Sequence, residues 1–192
     1  MLRRLYDWTL SLAAHPRALW ALAVISFAES SVFPIPPDII MIPMILAAPQ
    51  RAFWIATVCL VSSVLGGLAG YAIGHFAFEE LGRPILESLG KLDRIEEFNT
   101  RFNDFGFWPV LVAGVTPFPY KVITIMSGWT GLPLGTFIIA SIVARGMRFF
   151  LVAWLLWKFG APIRDFIEKR LGLMFTLFVV LLAGGFYVLR FL

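Results

Sequence analysis

The sequence predicts an all-α integral membrane protein: two inverted repeats, each a proline-broken re-entrant hairpin plus a transmembrane helix, and then a C-terminal transmembrane helix. Three observations lead there. Of the 192 residues, 59% are hydrophobic and 15% charged, whereas a soluble domain is about 45–50% apolar and about 25% charged. Two long stretches carry no Asp, Glu, Lys or Arg, and two proline-rich interruptions recur at a fixed spacing. A span of hydrocarbon takes about 20 apolar residues, so the chain reads as one membrane domain without a large extramembrane part.

Residues 1–16 place Arg3 and Arg4 before a short mixed stretch interrupted by Asp7, with no small-residue cleavage site after it. This predicts an amphipathic segment lying on the membrane surface rather than a signal peptide.

The first repeat covers 17–78. Ala18 to Ala28 is uncharged for only 11 residues, too few to cross, and is followed by Glu29, by Pro34, Pro36 and Pro37, by Asp38 and by a second short apolar piece to Gln50. Prolines remove amide donors and disfavour helix in the residue before each, so two half-length helices joined by an extended tip are expected. Such non-helical backbone is tolerated at membrane depth only inside protein or beside a wet cavity. Ala52 to Phe78 then runs 27 residues without a charge, about 40 Å of helix, enough to cross with some tilt. Gly66, Gly70 and Gly74 recur every four residues along it and predict a packing face that another backbone approaches closely.

Residues 79–106 carry charges of both signs and predict a connector outside the membrane. The second repeat, 107–160, opens with Phe107 to Val115, breaks at Pro117 and Pro119, and resumes with Val122 to Met126 before a Gly128/Gly131/Pro133 turn and a long apolar run from Gly135. Residues 161–192 form a linker and a final span, Leu171 to Leu189, whose Arg190 can snorkel to the headgroups.

A shift of 83 positions lays Pro34 to Asp38 on Pro117 to Lys121 and the span beginning at Ala52 on the run beginning at Gly135. One hairpin plus one crossing per repeat is an odd number of crossings, so the second repeat must insert upside down. Inverted repeats with broken helices meeting at the midplane are a frequent transporter architecture. Eight Lys and Arg residues fall on the side of the N-terminus and five opposite, which favours a cytoplasmic N-terminus.

Glu29, Asp38, Lys121, Arg145 and Arg148 lie inside these apolar stretches. Each would cost at least ~2.5–3.5 kcal/mol facing lipid, so each is expected to face inward. Asp38 and Lys121 occupy equivalent tips and are expected to pair. Arg145 and Arg148, three residues apart, share a helix face. Their guanidinium forks suit a phosphate, with helix N-termini adding donors; the competing reading has them bridge Glu29 and Asp38 structurally. Either way Lys121 is a surplus cation. Glu29, with no basic neighbour in its local sequence, is the better proton carrier, and Asp38 is the second proton or coupling candidate.

No cysteine pair exists to form an intrachain disulfide, no metal-ligand spacing stands out around Cys59 or His75, and no cofactor is expected. Basic residues form no block, which argues against a nucleic-acid partner. Neither a His-Glu-x-x-His helix nor a Gly-x-Ser-x-Gly elbow is present, so no enzyme is expected.

The block Glu29-Ser30-Ser31-Val32-Phe33-Pro34-Ile35-Pro36-Pro37-Asp38, with Gly66 to Gly74, resembles the DedA family, also called VTT-domain or SNARE-associated Golgi proteins, and its YqaA-like branch in particular. The resemblance covers roughly 17 to 160. It implies two facing re-entrant hairpins, embedded acids at Glu29 and Asp38, a basic position at Lys121, and movement of polyprenyl phosphate or phospholipid between leaflets, in some members with protons. The chain departs from the family pattern in the second hairpin: where Arg-Phe-x-Pro-Gly-x-Arg is typical, it reads Val115-Thr116-Pro117-Phe118-Pro119-Tyr120-Lys121, without the first arginine.

The expected function is therefore a flippase or scramblase moving a lipid phosphate through a central charged pocket in a bacterial inner (plasma) membrane, coupled to protons. Membrane lipids are its partners, and homo-oligomerisation stays open. The alternatives are a proton-coupled antiporter for ions or small cations and a non-transporting scaffold.

Overall fold

The computed structural model describes residues 17–33, 35–82, 84, 88, 92–116 and 119–189, with backbone alone at 81–82, 92–96, 161 and 163–189. The N-terminal segment 1–16, Pro34, Pro117 and Arg190 lie outside the described residues.

Among the described residues all regular structure is helical. In order these are α1 (Ala18–Ser31), α2 (Asp38–Ala47), a 3₁₀ turn (Pro49–Arg51), α3 (Ala52–Ala77) with a π turn (Phe78–Gly82), α4 (Leu92–Phe105), α5 (Phe107–Val115), α6 (Tyr120–Trp129) and α7 (Leu134–Leu189). The backbone of α7 runs on through Pro162 over the stretch read as linker and final span.

The order of short helix, break, short helix and long helix occurs twice. α2 and α6 are both ten residues long, and they start 82 positions apart (38 and 120), as do α3 and α7 (52 and 134). The breaks follow from the prolines. α1 continues past Glu29 to Ser31, where Val32 N and Phe33 N both donate to Ala28 O at 2.9 and 2.8 Å. Pro37 then serves as N-cap of α2 at φ −64°, the angle its ring imposes. In the second break Thr116, which precedes Pro117 in the chain, is extended at ψ 169°, as a residue before proline must be. α6 ends in a Schellman turn: Gly131 at φ 68° lets its own N–H reach Gly128 O at 3.2 Å and Leu132 N reach Ser127 O at 2.9 Å.

Two apolar clusters fix the arrangement. One joins Ala18 and Leu22 of α1, Met41 and Ile45 of α2, the start of α3 (Ala52, Ile55) and Ala153 and Leu156 of α7. The other joins Phe102 of α4, Val110 of α5, Ile123 of α6 and the start of α7 (Phe137, Ala140), with Tyr71 of α3 packed against it. α3 and α7 therefore run antiparallel, with the outer ends of α1 and α2 at one end and those of α5 and α6 at the other. Between the clusters lies a polar layer of Ser26, Ser30, Ser63, Thr124, Ser141 and Arg145, all buried.

Glycines allow this proximity. A Cβ on Gly66 would strike the Phe27 carbonyl of α1; one on Gly70 would strike Thr124, and one on Gly74 the Ile125 carbonyl of α6. Gly128 of α6 reciprocates against the Tyr71 carbonyl of α3. Large apolar side chains instead face outward, including Trp54, Val61, Leu65 and Phe76 on α3 and Ile139, Leu151 and Trp154 on α7. Pro49–Glu80 and Leu134–Gly160 are long and apolar enough to cross a membrane. Such an outward apolar sheath on both long helices suits lipid better than water.

Candidate charged site

Four helical positions carry the five embedded charges to the polar layer and its edge. Glu29 sits in the last turn of α1, Asp38 opens α2, Lys121 is the second residue of α6, and Arg145 and Arg148 project from one face of α7. Asp38 at the start of α2 also meets the positive end of that helix.

Arg145 Nη2 donates to Glu29 Oε2 at 2.6 Å, with the two side chains 1% and 16% exposed. Arg145 Nε donates to Ser63 Oγ at 2.7 Å, and Nη2 also reaches Ser30 Oγ at 3.5 Å. The Ser30 and Ser63 hydroxyls share a 2.7 Å hydrogen bond, and Ser30 Oγ donates to Glu29 Oε2 at 3.2 Å. The guanidinium lies between two rings, 4.7 Å from the Tyr120 centroid and 4.8 Å from that of Phe149, a placement that favours a desolvated cation. Tyr120 Oη in turn donates to Ser141 Oγ at 2.5 Å.

The second pair is wetter. Arg148 Nη2 donates to Asp38 Oδ2 at 2.6 Å, with exposures of 24% and 18%, while Nη1 reaches the Thr116 carbonyl at the second break at 3.4 Å. Lys121 Nζ approaches the Val32 carbonyl at the first break at 3.4 Å. Thr124 Oγ1 bonds Ser30 O at 3.1 Å. Residues flanking the two breaks thus meet one another and α7.

The expected pairing of Asp38 with Lys121 is corrected: Asp38 holds Arg148, and among the described residues no carboxylate pairs with Lys121. The reason is register. Asp38 is the first residue of α2 and Lys121 the second of α6, and one residue turns a helical side chain by about 100°. Glu29, without a basic neighbour along the chain, has one in space 116 residues away. Both arginines are therefore engaged by acids, as the competing structural reading had it. Pro36, Pro37 and Pro119 flank the breaks, and Gly66, Gly70 and Gly74 line the contact face of α3.

The buried hydroxyls are not among the candidate residues that isolated charge in an apolar run singles out. Ser26 and Ser30 are four apart, hence on one face of α1, and Ser63 lies in the middle of an uncharged run. A polar residue at that depth was the available signal. Tyr120 and Phe149 gave none, because aromatics are ordinary in apolar helices.

The VTT domain model matches residues 35–158. An uncharacterized protein of Haemophilus influenzae is 38% identical over 168 residues, 85% of this chain and 87% of that protein. An uncharacterized protein of Histophilus somni is 36% identical over 168 residues, again 85% of this chain and 87% of the relative. No solved structure matches the chain. The domain match spans most of the chain and the relatives are similar over nearly their whole length, so the chain belongs to the VTT-domain, or DedA, family of membrane-associated proteins.

Proposed function

We propose that the protein is a membrane transporter, not an enzyme, that moves a lipid phosphate, a polyprenyl phosphate or a phospholipid, between leaflets, and that protons drive or gate the movement. In this reading α1–α2 and α5–α6 are re-entrant hairpins of an inverted repeat. They enter from opposite faces of the bacterial inner membrane, with the N-terminus cytoplasmic. The two apolar clusters at opposite ends of α3 and α7 support it.

The observation that carries the function is the charge balance of the polar layer. Glu29 with Arg145 and Asp38 with Arg148 cancel, and Lys121 remains, held by a single 3.4 Å carbonyl contact. An ammonium with unspent donors where the two breaks meet is a seat for an anionic headgroup. Protonation of Glu29 or Asp38 would release its arginine, and a phosphate would then take the carboxylate's place. That exchange links proton uptake to substrate binding.

Purified protein in liposomes should speed leaflet exchange of a polyprenyl phosphate or phospholipid. Lys121→Gln should slow it at least about tenfold, the loss of one charge-assisted contact, without lowering Tm. Exchange no faster than in empty liposomes overturns the proposal. The closed 2.6 Å pairs also favour a second reading, a scaffold in which they only tie the helices together. It requires that neutralising Arg148 lowers stability and leaves any flux unchanged.

A further inference from the structure

We propose that Ser63 and Ser30 are positioning residues forming a hydroxyl relay that runs from Arg145 to Glu29 while the acid is ionised. The inference deepens the reading above only in taking Glu29 as the proton site. The direction of the relay comes from the donor inventory: a guanidinium only donates and an ionised carboxylate only accepts. Arg145 Nε must therefore give its hydrogen to Ser63 Oγ at 2.7 Å. The Ser63 hydroxyl, accepting on that side, sends its own proton to Ser30 Oγ at 2.7 Å. Ser30 in turn donates to Glu29 Oε2 at 3.2 Å. The direct 2.6 Å bond from Arg145 Nη2 to the same oxygen closes a ring across α1, α3 and α7.

Both serines are fully buried, so water does not compete for their hydrogens. Removing the Ser63 hydroxyl frees Ser30 to turn toward the carbonyl of its own preceding turn, the usual alternative for a helical serine. Glu29 then loses a donor although Ser30 is intact. Conversely, a proton arriving on Oε2 reverses both hydroxyls: Ser63 Oγ, with two acceptor lone pairs, then takes the hydrogens of both Arg145 Nε and Ser30, and its own hydrogen turns to another acceptor. The state of the acid is thus transmitted to the arginine through two side chains that carry no charge.

The test uses the purified full-length protein in detergent and reads thermal unfolding, with no substrate present. Ser30→Ala, Ser63→Ala and the double variant are measured with Glu29 and again with Glu29→Gln. Ser26→Ala, a buried serine whose hydroxyl bonds the Cys59 carbonyl at 2.8 Å outside the ring, is the control. Ser63→Ala, which also removes the acceptor of Arg145 Nε, should lower Tm more than Ser30→Ala, and the double should lower it by no more than Ser63→Ala alone. Both losses should fall by at least half in Glu29→Gln, whereas the Ser26→Ala loss should be unchanged there and add to that of Ser63→Ala. Additive losses for Ser30→Ala and Ser63→Ala, or losses undiminished in Glu29→Gln, overturn the relay. Should Ser63→Ala not fold, Ser63→Cys and Ser30→Cys, which keep a weak donor, are compared by the same criteria. Absent lipid exchange would leave this result standing, and additive serine effects would leave the transport proposal standing.

Discussion

Arg145 is the side chain on which the polar layer depends. It is 1% exposed, joins α7 to α1 and α3, and sits between two aromatic rings. Truncating its partner, Glu29→Ala, leaves a buried charge without a counterion and should cost ~3–5 kcal/mol in unfolding free energy. Combining Glu29→Gln with Arg145→Met should cost less than the sum of the two single changes, as a double-mutant cycle in detergent would measure. Asp38→Ala should cost less than Glu29→Ala, because Arg148 is 24% exposed and can be rehydrated. All five embedded charges were legible in the sequence as isolated ionisable residues in apolar runs. The competing reading had the arginines bridge the two acids, but which arginine takes which was not legible, since the partners lie 116 and 110 residues apart.

The helices are held together by backbones in near contact, and the glycines there are not equivalent. Gly128→Ala and Gly74→Ala each drive a Cβ into a facing carbonyl, so both should lower Tm despite the gain of about 1 kcal/mol in helix propensity. Gly135→Ala meets nothing within 4 Å on α7 and should hold or raise Tm. Equal responses of these three variants, measured on purified protein, would remove the packing argument. The proline pattern foretold both broken helix pairs and the glycine spacing foretold the contact face of α3. The position of the first break was less legible. Glu29 lies five residues before Pro34, the first proline of the break, outside the residue that a proline disfavours from helix, so the chain stays helical to Ser31 and carries Glu29 on α1.

Among the described residues, glycines, serines and paired charges lie between helices alongside the two apolar clusters, while large apolar side chains such as Trp54, Phe76 and Leu151 face outward, the reverse of a soluble bundle's surface. Composition alone made that legible. The meeting of the two breaks was legible only as a consequence of the internal repeat, whose 83-residue offset in sequence becomes 82 in the helices and thereby rotates Lys121 away from Asp38. The most direct test is which face of the membrane each hairpin end reaches. In a Cys59→Ser background, single cysteines at Arg17, Gln50, Asp104 and Gly131 are labelled in oriented membrane vesicles with an impermeant thiol reagent. Residues 17 and 50 should react from one face and residues 104 and 131 from the other. Labelling of 17 and 50 from opposite faces would mean that α1–α2 crosses the bilayer, and the account would fail.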